Sequence, residues 1–190
     1  MLFLRLFAAN FSANLFTSVP FKRPNKTYDE ASLYEYAIGA LGRRMHSVAE
    51  LKRKLRVRCQ EEATIDRVVA RLKDQKYLSD AAYAAAYAGF RRDNEKFGRR
   101  RIVTDLKVKG VHSAVIDKAV DEAYAGVNEE QLARAFLRRK RLNKPVNNKE
   151  AARIFRTLMR AGFGIATSIK VLKSWSVDDE LLTALQEEVE

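Results

Sequence analysis

At 190 residues, with 47% hydrophobic and 32% charged residues, three prolines and eight glycines, the chain is long enough for one domain or several small ones and too apolar to be disordered. Its 36 lysines and arginines against 24 acids leave a net charge of +12, which points to nucleic acid, an acidic membrane face or an acidic protein surface without choosing among them. The single cysteine, Cys59, excludes an internal disulfide framework, and with only His46 and His112 no Cys/His zinc cluster can be assembled; a reducing cytoplasm fits this usage.

Taken in chain order, residues 1 to about 21 are apolar, with Arg5 as the one charge, and are broken by Asn10, Ser12, Asn14, Thr17 and Pro20. The run is too short and interrupted to span a bilayer and shows no clear small-residue cleavage pattern. Residues 1–28 are therefore read as a disordered extension, or as sequence ahead of the natural start, rather than as a targeting segment. From about Asp29 the apolar spacing is helical almost without a break.

The helical pattern repeats. Leu51 and Leu55 return as Ile102 and Leu106 after 51 residues, and as Ile154 and Leu158 after 52 more. Ile65-Asp66 returns as Ile116-Asp117, and Gly110-Val111 as Gly162-Phe163. A period of about 51 residues predicts three tandem three-helix units at 29–77, 78–127 and 128–175, followed by an acidic helical segment at 176–190.

The predicted helices lie near 30–44, 48–58 and 62–76, then 79–93, 99–109 and 113–124, then 129–142, 148–161 and 165–174, with a last helix opened by Ser176 and Asp179 and running to about Glu188. Ser47 with Glu50 forms a capping box, which starts the second helix. Gly110 and Gly162 stand just past the apolar run of a second helix, where a left-handed residue ends it; Cys59 occupies that slot in the first unit. Cys59 itself falls on an apolar stripe and reads as a small buried hydrophobe despite its Arg56 and Arg58 neighbours. Units of this size bury too little surface to be stable alone, so neighbours must lean on each other in an elongated all-α array, open to curvature.

Within that array the stretch Tyr77-Leu78-Ser79-Asp80, Tyr83, Tyr87, Arg91-Arg92, Gly98, Arg100-Arg101-Ile102, Leu106 and Lys109-Gly110-Val111 is similar to the central signature of the RecX family of RecA recombinase regulators. Arg43-Arg44, His46-Ser47, Ala49-Glu50-Leu51 and Lys54-Leu55 resemble the first-unit motif of the same family. The resemblance covers about residues 29–175; the apolar N-terminal extension, Cys59 and the acidic last helix depart from it. It implies a monomeric cytoplasmic protein that needs no cofactor, binds in the groove of the RecA filament on single-stranded DNA, touches more than one protomer and inhibits recombination and ATP hydrolysis.

The candidate partner-binding surface is basic. Arg99, Arg100 and Arg101 fall in the first turn of a helix, where each cation costs roughly 0.3 to 1 kcal/mol against the macrodipole, and so invite a functional reading. Arg100 and Lys107 share the outer stripe of that helix, with Lys109 nearby; the bland reading has Arg101 paired with Asp105. Lys52, Arg53, Lys54, Arg56 and Arg58 form the solvent side of the matching helix in the first unit, and stacked units would join both stripes into one track able to meet phosphates or acidic groups. Arg91 and Arg92 enter through the resemblance, whereas the denser run Arg138 to Arg141 sits at a helix C-terminus, where cations are welcome anyway.

Tyr83, Tyr87 and Phe90, spaced i, i+4 and i+7, read as core rather than as a base-stacking platform. In the acidic last helix, Leu181, Leu182 and Leu185 are expected to pack down, a flap over a basic groove being the sharper alternative. No phosphate-binding glycine loop and no nucleophile with its base and orienter are present, so the chain is read as a non-enzyme with no catalytic or metal residues. The competing readings are a direct DNA-binding protein of helix-turn-helix type, since three short helices also describe that fold, and an RNA or membrane-surface binder, which charge alone permits.

Overall fold

The computed structural model describes residues 28–187, to which all structural statements refer; the apolar residues 1–21 and the end of the acidic segment lie outside this range. The chain is all-α, with ten helices and no strand among the described residues. In the first unit α1 (Glu30–Arg43), α2 (Val48–Arg56) and α3 (Glu62–Asp74) close over Leu33, Leu51, Leu55, Ile65 and Leu72. In the second, α4 (Asp80–Phe90), α5 (Arg99–Val108) and α6 (Ser113–Tyr124) enclose Tyr83, Ile102, Leu106 and Ile116. In the third, α7 (Glu129–Arg139), α8 (Asn148–Arg160) and α9 (Ile165–Lys173) enclose Phe136, Phe155, Leu158 and Phe163, and α10 (Asp179–Glu187) adds Leu182 and Leu185 to that core.

The apolar positions that set the sequence period are the cores. Leu51 and Ile102 are fully buried and Ile154 nearly so, as are Leu55, Leu106 and Leu158 one turn on. Burial of each such side chain contributes about 1.5 to 3 kcal/mol. The capping box is formed: Ser47 Oγ accepts the Glu50 N–H at 3.0 Å, while Glu50 Oε2 accepts the Ser47 N–H at 3.4 Å.

The helix ends differ from the sequence reading in instructive ways. Gly110 and Gly162 take φ of +76° and +91°, but the same left-handed closing residue is supplied by Lys76, Lys96, Arg141 and Ser176 after other helices. Each is followed by an amide that reaches back past it into the helix, as Leu142 N does to Leu137 O at 2.9 Å. Ser176 therefore closes α9 and does not cap α10. The expected helix 79–93 is α only as far as Phe90; residues Arg91–Glu95 form a π-helical turn that ends on left-handed Lys96.

Cys59 is buried, at 5% exposure, but it is not the counterpart of Gly110. The turn after α2 is one residue shorter: the Arg58 and Cys59 amides both reach Leu55 O, and Cys59 takes the packing position that Val111 and Phe163 hold in the other units. Tyr83 is buried and Tyr87 half-buried, whereas Phe90 is 59% exposed, so the third aromatic of that stripe is not core. Leu182 and Leu185 of α10 are packed down as expected, with Leu181 partly buried beside them.

Candidate basic docking surface

The three second helices are joined end to end. At the C-terminus of α8, Ala161 O accepts the Gly98 N–H at 2.8 Å and Gly162 O accepts the Arg100 N–H at 3.1 Å, so orphan carbonyls of α8 satisfy orphan amides of α5. At the other end of α5, Ser47 Oγ donates to Lys109 O at 2.6 Å, linking α5 to the start of α2. The backbones come so close that a Cβ on Gly162 would lie 2.2 Å from Arg101 N, and one on Gly110 would lie 2.5 Å from Ala49 Cβ. Glycine is required at both positions twice over, by positive φ and by the helix that abuts them. The turn after α2 meets no such helix among the described residues, only the Tyr28 N–H on Arg58 O, which accounts for its different form around Cys59.

This junction changes the meaning of Arg99 to Arg101. The positive end of α5 faces the negative end of α8, so the dipole cost expected for an isolated helix is offset. Arg99 is paired with Asp121, and Arg101 with Asp105 at 3.0 Å, the bland reading of that residue. Arg100 is exposed and has no carboxylate partner among the described residues, nor has Lys107, and together with Thr104 they face outward at i, i+4 and i+7.

Lys109 turns inward to the junction between the first two units. Its ammonium lies 3.1 Å from Glu50 Oε1 and 5.3 Å from the Tyr87 ring. Burial alone would push the Glu50 carboxyl up, but the Lys109 hydrogen bond and charge, the Ser47 amide and Arg44 outweigh it and hold the carboxyl below the usual range. Burial pulls against the Lys109 charge too, and Glu50 and Tyr83 overcome it and raise its pKa. His46, 4% exposed, sits 3.7 Å from Glu50, yet desolvation, with Arg44 and Lys54 adding to it, outweighs the upward pull of that carboxylate and lowers its pKa.

On α2, Lys52 pairs with Asp66 at 2.5 Å, and Arg56 grips Glu62 with Nε at 3.0 Å and Nη2 at 2.5 Å. Arg53 is exposed, opposite the buried Leu51 and Leu55, with no carboxylate partner among the described residues. Arg91 stacks over Tyr87 at 5.0 Å and Arg92 is held by Asp93 and the Ala123 carbonyl, both in the π-helical turn at the end of α4. Arg53, Arg100 and Lys107 thus stand on the outer faces of α2 and α5 without a carboxylate among the described residues, while Lys52, Arg56, Arg92, Arg99, Arg101 and Lys109 are engaged within the fold. Glu50 and Asp80, whose Oδ1 accepts the Val48 N–H at 2.8 Å, are junction residues that helical periodicity does not single out.

Comparison with known proteins places this architecture. Residues 34–72 match the first three-helix domain of RecX and residues 79–120 the second. The regulatory protein RecX of Pseudomonas tolaasii is 32% identical over 144 residues, spanning 75% of this chain and 91% of that protein; that of Leptothrix cholodnii is 35% identical over 144 residues, spanning 76% and 89%. The crystal structure of RecX from Lactobacillus salivarius superposes with a TM-score of 0.64 at 19% identity, covering 78% of this chain and 97% of that one, which is a likeness of fold. With two family domains in order, relatives aligned over three quarters of its length and the same all-helical fold, the chain belongs to the RecX family of regulatory proteins.

Proposed function

We propose that this protein is a cytoplasmic, monomeric regulator that binds the RecA filament on single-stranded DNA and inhibits its recombinase and ATPase activities, acting by docking rather than by chemistry. The family supplies the regulatory role. The observation that carries the docking face is that Arg53, Arg100 and Lys107 stand outward with no carboxylate partner among the described residues, on helices joined end to end by the Ser47 Oγ–Lys109 O bond between α2 and α5 and by backbone hydrogen bonds between α5 and α8. Charges left unsatisfied within a chain are available to acidic side chains or phosphates of a partner, and they steer its approach. Lys109, Arg99 and Arg101 then hold the scaffold in shape, and Arg91 and Arg92 brace the π-helical turn.

The test is co-sedimentation with RecA filaments. Reversing Arg100 and Lys107 to Glu is expected to weaken binding by at least tenfold at moderate salt, at about 1.4 kcal/mol per decade, and to relieve inhibition of ATP hydrolysis in parallel. Undiminished binding removes this stripe from the interface. Strand exchange that proceeds unchanged at saturating protein overturns the regulatory reading, and sequence-specific duplex binding without RecA favours the helix-turn-helix one.

A further inference from the structure

A strongly basic stretch lies within the third unit, flanked by Glu129 and Glu130 before it and by Asp178 and Asp179 after it. Between residues 131 and 177 stand twelve lysines and arginines and a single carboxylate, Glu150, so this stretch holds nearly all of the net charge of +12. On α2 and α5, Lys52, Arg56, Arg99 and Arg101 have carboxylate partners, but around the α7–α8 turn Arg138, Lys140, Arg141, Lys144, Lys149 and Arg153 have none among the described residues. Only Arg139 is paired, with Glu95 at 2.9 Å.

Three of these cations converge. Arg141, Lys144 and Arg153 line one cavity of about 190 Å³. Arg141 is placed there by its left-handed backbone, φ +54°, in the turn that closes α7. Glu150 also lines the cavity, but its Oε2 accepts the Val146 N–H at 3.0 Å and is committed to the turn. A second cavity of about 210 Å³ adjoins it, sharing Lys144 and lined also by Val146, Trp175 and the Asp178 carboxylate. Trp175 is half-buried, with part of the indole left to this cavity.

We infer that the α7–α8 turn and the α9–α10 turn together form a subsite for single-stranded nucleic acid, in which Arg141, Lys144 and Arg153 hold phosphodiester groups and Trp175 stacks on the adjacent base. Charge alone would suit any polyanion. An indole beside a phosphate-sized cationic cavity suits a strand whose bases are already unstacked, since a duplex would have to extrude a base at a cost of a few kcal/mol. The subsite is separate from the α2–α5 face and does not depend on RecA.

The test uses the full chain without recombinase. Trp175 is the only tryptophan, so quenching of its emission by an oligothymidylate of about 15 nucleotides reads the stacking directly. Anisotropy of the same labelled oligonucleotide gives the affinity and its salt dependence. Replacing Arg141, Lys144 and Arg153 together by Gln is expected to cut affinity about tenfold near 0.1 M salt and to flatten the log–log salt slope by about 2, at roughly 0.7 per lost phosphate contact. Trp175→Phe should keep most of the affinity, and Trp175→Leu should lose about fivefold or more. Thermal melts establish that each variant is folded.

The proposal is overturned if the triple variant binds within twofold of the parent. It is equally overturned if the neutral triple Arg71→Gln, Lys73→Gln, Lys118→Gln loses as much, if duplex of the same length binds as tightly, or if anionic vesicles bind and the oligonucleotide does not. Each failure leaves the filament co-sedimentation result standing on its own.

Discussion

At Gly162 two demands coincide: a positive φ and the backbone of α5 within 2.2 Å of where a Cβ would stand. Gly162→Ala is expected to destabilise the protein by about 3 kcal/mol or more, combining left-handed strain with the loss of the α8–α5 hydrogen bonds. Gly126 also has positive φ, +70°, but open space around it, so Gly126→Ala should cost only about 1 kcal/mol; denaturant unfolding of the pair separates strain from contact. Gly39 is the opposite case, exposed within α1 with nothing near its Cβ position, and Gly39→Ala should stabilise by about 0.5 to 1 kcal/mol. His46 gives a pH dependence. Its folded pKa lies below the ordinary value near 6.5, so the unfolded chain takes up the proton first, and stability is full above that pH and falls as pH drops through and below it. His46→Leu should flatten melting temperature against pH between about 7 and 5. Glu50, whose folded pKa is also lowered, loses its contribution only at more acid pH, below the ordinary value of 4.5.

Among the elements, α5 presents two unlike faces. Its inner face and both ends are structural: Ile102 and Leu106 are fully buried, its N-terminal amides meet α8, and its C-terminal carbonyl at Lys109 meets Ser47. Its outer face, with Arg100, Thr104 and Lys107, is exposed. Reversal of Arg100 and Lys107 should therefore leave unfolding free energy within about 0.5 kcal/mol, whereas Lys109→Glu sets a carboxylate against Glu50 and should lower the melting temperature measurably. Ser47→Ala tests the other joint. It removes both the N-cap of α2 and the bond to Lys109 O, so a cost of about 1 to 2 kcal/mol is expected by calorimetry.

For the whole molecule, three small cores are coupled by the α8–α5–α2 joints and by Phe97, which packs against both the second and the third core. Each unit alone is marginal, so the joints are expected to make the described region unfold in a single transition, with the Gly98 and Arg100 amides among the slowest to exchange. The uneven charge acts at this scale too. Because Arg138, Lys140, Arg141, Lys144, Lys149 and Arg153 crowd the α7–α8 turn without ion-pair partners among the described residues, raising salt from 0.05 to about 0.5 M should raise the melting temperature, the reverse of what screening of ion pairs alone would do. A flat or falling profile would show that surface pairs such as Arg56–Glu62 outweigh the repulsion.

The sequence by itself determined the all-helical class and the family, because Leu51, Ile102 and Ile154 and their partners one turn on stand at helical spacing and are the positions that folding buries. It also carried the capping box and the two closing glycines, since those signals lie within a few residues of what they control. The left-handed Lys76, Lys96, Arg141 and Ser176 were not legible, because lysine, arginine and serine have no local preference for that conformation and are held there by the turn's hydrogen bonds. The division of the cations was decided only by tertiary structure. Arg100 and Arg101 are adjacent in sequence, but one faces out and the other lies beside Asp105, and Lys109 is spoken for by Glu50, 59 residues away. Which charge stays free depends on the carboxylates that folding brings alongside, and helix periodicity reports direction without reporting neighbours.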